Sequence, residues 1–237
     1  FAKGTEMQKQ WLCFDLDGTL LDSTGAEGMA RILKTVQARN LPVTPEVVTA
    51  LSNTGRIELA VRTLWPNEDE REFMRTWLEI ERAHPIPFFP GTLETLESLY
   101  RYSILGIITQ RDRKSAQQQV ERLGSWFAFV IYLGDEEFKK PDPRAMDEAL
   151  ESYKWSGVKR KNITYVGDTL WDLEFARAAK INFYAVTSGG HYTREDFLNA
   201  GLDENKILNS VCDILRIGPL LNWNCICLLY IMYFIKN

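Results

Sequence analysis

The stretch Trp11-Leu12-Cys13-Phe14-Asp15-Leu16-Asp17-Gly18-Thr19-Leu20-Leu21-Asp22 sets the frame for the rest of the chain. Its apolar run ends in two carboxylates that flank one leucine, and a glycine follows at once. That pattern reads as a buried strand emptying into a turn. Aspartates at the end of a buried strand are costly unless a cation or hydrogen-bond donors offset them. Two readings of the pair stay open at this level. The aspartates cap local backbone amides, as in many Asp-Gly turns, or they belong to a site.

A chain of 237 residues holds one large domain, or one domain carrying a smaller inserted one. Its 45% hydrophobic and 25% charged content suits a globular protein with a sizeable core. A net charge of −4 argues against a nucleic-acid surface. Cys13, Cys212, Cys225 and Cys227 lack paired zinc spacing, and Cys13 sits in the expected core strand. Such usage suits a reducing compartment, and so a cytoplasmic location. The polar start, Phe1 to Gln10, does not resemble a signal peptide, and Met7 is a plausible natural first residue. The far end, Leu220 to Ile235 (LLNWNCICLLYIMYFI), is very apolar and holds Asn222 and Asn224. It is shorter than the roughly 18 residues expected of a membrane span. It reads as a buried or loosely ordered extension or as a read-through artefact, with a tail anchor touching a membrane as the third alternative.

Working outward from the first strand, Thr24 to Arg39 carries Met29, Ile32, Leu33 and Val36 at helical spacing. Short helices are expected over Pro45 to Leu51 and Ile57 to Trp65, and a longer one over Asn67 to His84. In the last, Phe73, Trp77 and Ile80 read as a helix core opposite a charged face. Pro85, Pro87 and Pro90 form a stiff return. Strands and helices then alternate. Strands are expected at Ile104 to Ile108, Phe127 to Leu133, Asn162 to Gly167 and Phe183 to Val186, with helices between them. That alternation predicts an α/β fold, a parallel sheet with helices on both faces. Ligands of such sheets sit beyond the carboxyl ends of the strands, where Asp15, Asp17, Thr109 and Asp168 all fall.

Asp15 and Asp17 leave one strand, while Asp168 and Asp172 sit at another strand end and the following helix start. Oxygen ligands from two loops suit Mg²⁺, which takes carboxylates and water. Asp168 and Asp172 also suit a plain helix start, where acids are favoured. Positive and hydroxyl groups come from Thr109, Gln110, Arg111 and Arg113, and from Lys139-Lys140-Pro141-Asp142-Pro143. A hydroxyl and a lysine near a cation make a cradle for a phosphate dianion. With His84 and His191 as its histidines, the chain has little material for a Ser-His-Asp site. It also lacks a nucleotide phosphate loop and a dinucleotide fingerprint. A carboxylate nucleophile toward phosphorus remains.

Four ordered motifs make the chain resemble the haloacid dehalogenase (HAD) superfamily, in its phosphoglycolate phosphatase-like branch. They are Asp15-Leu16-Asp17-Gly18-Thr19-Leu20, Thr109 at a strand end, Lys140-Pro141-Asp142-Pro143, and Val166-Gly167-Asp168-Thr169 with Asp172. The resemblance covers roughly Leu12 to Leu215 and does not reach the apolar tail. It implies a Rossmann-like three-layer sandwich with five parallel core strands and a small all-helical cap. The expected division is a core over 1–21 and 88–216, a cap over 22–87, and an extension over 217–237. It implies a Mg²⁺-dependent phosphatase acting on a small phosphorylated metabolite through an aspartyl-phosphate. Asp15 would be the nucleophile and Asp17 the general acid and base. Thr109 and Lys140 would hold the phosphoryl oxygens. The metal would lie on Asp15, the Asp17 carbonyl and Asp168, with Asp172 as a ligand or a ligand's partner. Gln110 stands where relatives more often have Asn, and Lys139 duplicates the motif lysine.

Rival readings are weighed on single residues. A dehalogenase needs neither a general acid nor a metal, so Asp17 argues against it. A phosphonate hydrolase would use a cap lysine, and from Thr24 through Pro87 the chain offers Lys34 on an expected helix. A sugar-phosphate mutase shares all four motifs and stays the alternative within the family. From another class, a binding or scaffold protein could keep the fold without catalysis. For substrate choice, Gln110 and a cap loop at Asn53-Thr54-Gly55-Arg56 are the candidates, with Arg56 either meeting an anionic substrate group or solvated at a helix start.

Overall fold

The computed structural model describes residues 10–52, 57–152 and 159–217. The loop with Arg56, the apolar tail, and Cys225 and Cys227 lie outside the described residues. In chain order, β1 (Gln10–Phe14) leads into four helices: α1 (Ala26–Ala38), α2 (Pro45–Ser52), α3 (Ile57–Leu64) and α4 (Glu70–Ala83). Then follow α5 (Thr92–Tyr100), β2 (Ser103–Thr109), α6 (Arg113–Arg122), β3 (Phe127–Tyr132) and α7 (Arg144–Ser152). The remainder is β4 (Ile163–Gly167), α8 (Leu170–Ala178), β5 (Asn182–Val186), α9 (Arg194–Asn199) and β6 (Ile207–Leu208). All strands are parallel, in the order β3-β2-β1-β4-β5-β6.

The expected five-stranded sheet therefore carries a sixth strand at its β5 edge. β6 pairs through Ala185 with Ile207 and Val186 with Leu208. A two-residue strand is too short to leave an alternation in the sequence, which is why the pattern reading ends at Val186.

β1 shows why its sequence is apolar without alternation. Trp11, Leu12, Cys13 and Phe14 are all fully buried, but successive side chains serve opposite faces of the sheet. Trp11 and Cys13 join a cluster with Ile108, Met146, Tyr165 and Phe175. Leu12 and Phe14 join another with Leu96, Leu105, Ile107 and Val166. Helices α7 and α8 supply the first layer, α5 and α6 the second.

Helices α1–α4 have a separate core of Ile32, Val36, Val47, Leu51, Ala60, Val61, Trp65 and Phe73. Trp65 stacks on Phe73 with ring centroids 5.9 Å apart. Asp69 opens α4 by accepting the N–H groups of Arg71 and Glu72. Trp77 is only partly buried and packs against this cluster. The chain leaves the sheet and returns to it at one place, because Leu21 bridges Phe88 and the Asp22 N–H donates to the Pro87 carbonyl at 2.9 Å. Among the described residues no helix is long and apolar enough to cross a membrane.

Candidate active site

The carboxyl ends of β1, β2 and β4 gather most of the polar residues singled out from sequence. Asp15 follows β1 directly, and its N–H continues the ladder to the Val166 carbonyl at 2.8 Å. Lys140 reaches it from the loop after β3. Its ammonium donates to Asp15 Oδ1 at 2.7 Å, to Asp172 Oδ1 at 2.7 Å and to the Tyr165 hydroxyl at 2.9 Å. Those three bonds use all three ammonium donors. Tyr165 in turn donates its hydroxyl proton to the Ile108 carbonyl at 2.8 Å, so β4 and β2 together fix the lysine. Lys139 is exposed and Lys140 is buried, so the second lysine of the pair is the one that enters the site.

Asp172 serves two purposes at once. Its Oδ2 accepts the Thr169 N–H and hydroxyl at 3.1 and 2.6 Å, closing a capping box at the start of α8, while Oδ1 takes Lys140. Asp172 thus closes the helix start and also contacts the lysine beside Asp15.

Asp168 follows β4 directly and is 2% exposed. It accepts the Thr19 hydroxyl proton at 3.2 Å, and no side-chain cation lies within ion-pair distance of it among the described residues. Gly18 adopts φ +72°, and a Cβ there would stand 2.1 Å from Asp168 Oδ2. Only glycine lets the turn after Asp17 lie against that carboxylate.

Burial pushes the Asp15 carboxyl up to about 7, with Lys140 opposing and the Asp172 charge adding to the rise. Burial, followed by the charges of Asp15 and Asp172, raises Asp168 well above the usual carboxylate range. Burial works against the Lys140 charge, but Asp15 and Asp172 outweigh it and raise the lysine. Oxygen atoms of Asp15, Asp168 and Asp172 all lie within 4.8 Å of one another. The cluster thus holds three carboxylates around one ammonium, with an all-oxygen donor set and too little positive charge. A hard divalent cation fits that deficit. Because Asp172 already uses both oxygens, Asp15 and Asp168 are the better placed to hold it.

Asp17 is not part of this cluster. Its two oxygens accept a paired contact from Arg111, Nε and Nη2 each at 2.7 Å. Thr109 ends β2 almost fully buried, and its hydroxyl oxygen accepts the Arg111 N–H at 3.2 Å. The Gln110 amide donates to the Lys140 carbonyl at 3.1 Å, and its Oε1 is buried without a partner. Gln110 therefore steadies the lysine loop in this arrangement.

Sequence reasoning missed three participants. Thr19 stands inside the first motif and Tyr165 inside the expected strand Asn162 to Gly167, and neither is singled out from sequence, although a hydroxyl in a buried strand three residues before Asp168 is a usable signal. Glu81 was indistinguishable from the other charges of α4.

Residues 12–186 match the family model for haloacid dehalogenase-like hydrolases. A phosphoglycolate phosphatase of Agrobacterium fabrum is 31% identical over 189 residues, 74% of this chain and 79% of that one. A phosphoglycolate phosphatase of Vibrio parahaemolyticus is 28% identical over 222 residues, 84% and 96% of the two chains. The fold is shared with a predicted phosphoglycolate phosphatase from Haemophilus somnus, with TM-score 0.71, 22% identity, and coverage of 90% and 99%. It is also shared with a Thermotoga maritima protein assigned as a β-phosphoglucomutase, with TM-score 0.69, 20% identity, and coverage of 88% and 97%. On the family match over most of its length, with the strand order and strand-end carboxylates to go with it, the chain belongs to the haloacid dehalogenase-like hydrolases.

Proposed function

We propose that the protein is a Mg²⁺-dependent phosphatase that hydrolyses a small phosphomonoester, in the manner of the phosphoglycolate phosphatases it is similar to. The observation that carries this reading is the buried meeting of Asp15, Lys140, Asp168 and Asp172, with Asp17 two residues beyond the nucleophile. Asp15 attacks phosphorus, the ester P–O bond breaks, and Asp17 gives the departing oxygen its proton. Water then attacks the aspartyl-phosphate. Asp17 takes the water's proton, the acyl phosphate bond breaks, and phosphate leaves with Asp15 restored.

Lys140 holds the Asp15 carboxylate in place, and with Thr109 it binds the phosphoryl oxygens. Asp15, Asp168 and the Asp17 carbonyl would hold Mg²⁺, and Asp172 acts through Lys140. Bound there, it would supply Lewis-acid polarisation of a phosphoryl oxygen and would offset the charge of the carboxylates. Helices α1–α4 serve as the cap over the site. Asp17 disfavours a dehalogenase, since a departing halide needs no proton. The unpaired thiols of Cys13 and Cys212 suit a cytoplasmic enzyme.

The test is phosphate release from phosphoglycolate, sugar phosphates, nucleotides and pyrophosphate, with Mg²⁺ and after chelation. Asp15→Asn abolishes release while the circular dichroism spectrum is unchanged. Full turnover by that variant, or turnover without metal, overturns the reading. An isomerised sugar that keeps its phosphoryl group makes the enzyme a mutase. Inactivity on every substrate favours a binding protein.

A further inference from the structure

Arg111 joins Asp17 to the helical insert. While Nε and Nη2 grip the two Asp17 oxygens, Nη1 donates to Glu81 Oε1 at 2.6 Å and to the Ser115 carbonyl at 3.2 Å. Glu81 lies on α4 with its side chain 3% exposed, a carboxylate buried at the junction of insert and sheet domain. Its other partners are Gln119 Nε2 on Oε1 and Trp77 Nε1 on Oε2, both at 3.1 Å. Burial works against the Arg111 charge, yet Asp17 and Glu81 more than compensate and raise it. The guanidinium is planar and its fork matches a carboxylate, so gripping both oxygens fixes the plane of the Asp17 carboxyl group. Each Asp17 oxygen keeps a further lone pair on its outer side.

We propose that Arg111 is the positioning residue for proton transfer by Asp17, and that Glu81 of α4 holds Arg111 in place, so that docking of the insert sets the orientation of the general acid. This rests on the phosphatase reading above. Arg111 touches neither the phosphorus nor the nucleophile in this account. It acts through Asp17, whose outer oxygen lone pair stays free to carry the proton that passes to the leaving oxygen and later to take one from water.

Proton donation matters for a poor leaving group and hardly at all for a good one, which gives the test its readout. Steady-state kinetics of Arg111→Lys and Glu81→Gln are compared on phosphoglycolate, an alkyl ester, and p-nitrophenyl phosphate, an aryl ester. The lysine keeps the charge and loses the fork. For Arg111→Lys we expect kcat/KM on phosphoglycolate, which reports the transfer to Asp15 and not the later water step shared by both esters, to fall roughly ten- to a hundredfold, and kcat/KM on the aryl ester to change by less than about threefold. Glu81→Gln follows the same selectivity more weakly. If the lysine variant does not fold, Arg111→Ala with added guanidinium replaces it, and rescue is expected on the alkyl ester alone. Equal losses on both esters mean a structural role and overturn the proposal. A rise in KM for phosphoglycolate with kcat kept means that Arg111 binds the substrate carboxylate, and overturns it as well. An unchanged Glu81→Gln enzyme overturns the link to α4. Wild-type protein inactive on both esters instead brings down the phosphatase reading itself.

Discussion

Asp15 and Asp17 are two residues apart, and each shares one cation with a second carboxylate. Asp15 shares Lys140 with Asp172, and Asp17 shares Arg111 with Glu81. The likeness ends at the next neighbour. Beside Lys140 stands a third carboxylate, Asp168, which leaves the region short of positive charge. The region around Arg111 is closer to balanced, and its second carboxylate belongs to another layer of the molecule. Burial differs too: the Lys140 and Asp15 side chains are 3% and 10% exposed, those of Arg111 and Asp17 16% and 30%. The lesson is that adjacent acids of one loop answer to different things. The first lies beside an uncompensated carboxylate, the second is tied through Arg111 to the insert.

Removing each cation is the strongest way to break this contrast. Lys140→Met strands three carboxylates in the interior, and we expect it to cost about 3–5 kcal/mol in urea unfolding of chelated protein at pH 8. Arg111→Met should cost less, because Asp17 can turn to water and Glu81 keeps Trp77 and Gln119. The reverse order would refute the burial argument. Next in size, Mg²⁺ should raise the Tm of the wild type, while Asp168→Asn should weaken metal affinity about a hundredfold and erase that shift at moderate Mg²⁺. An undiminished shift would place the ion elsewhere.

A smaller effect is expected from Tyr165→Phe, which leaves the Ile108 carbonyl and one Lys140 donor unsatisfied. We expect a loss of about 1–3 kcal/mol by denaturant titration, with metal dependence intact.

The subtlest prediction concerns pH. Asp15 titrates near 7 when folded, raised from 3.8 by burial, and Asp168 is raised as well. Between those values the folded chain binds more protons than the unfolded one. Asp15 therefore contributes stability that is present below about pH 4 and lost as pH climbs through 7, and Asp168 acts in the same direction. Each contributes a slope of up to about 1.4 kcal/mol per pH unit. The Tm difference between wild type and Asp168→Asn, measured in chelator, should move against the wild type as pH rises. A flat difference would mean that Asp168 is already charged throughout.

The sheet and its acids were legible because their signals are local. Trp11 to Phe14 is apolar throughout since both faces of β1 are covered, and Asp15 and Asp168 mark strand ends by breaking such runs. Asp172, an acid just past a strand end, suits a helix start and a site alike. The remainder was illegible for physical reasons. β6 is too brief to show a period. Glu81 shares α4 with Glu70, Glu72 and Glu79, and nothing in the sequence distinguishes the one that packs inward. Arg111 belonged to a recognisable polar cluster, but its partners lie at Asp17 and Glu81, far off along the chain.

The bridge between Leu21 and Phe88 has a consequence for how the chain assembles. β1 finds its partner β2 only across a long separation, with Gln10 opposite Ser103, and such closures are slow and entropically costly. Helices α1–α4 have their own apolar centre, which brings α1 against α4 without the sheet. Once they pack, Leu21 and Phe88 are neighbours, and the search that remains for β1 is that of a short loop. We expect the insert to serve as a splint for the central strand during folding.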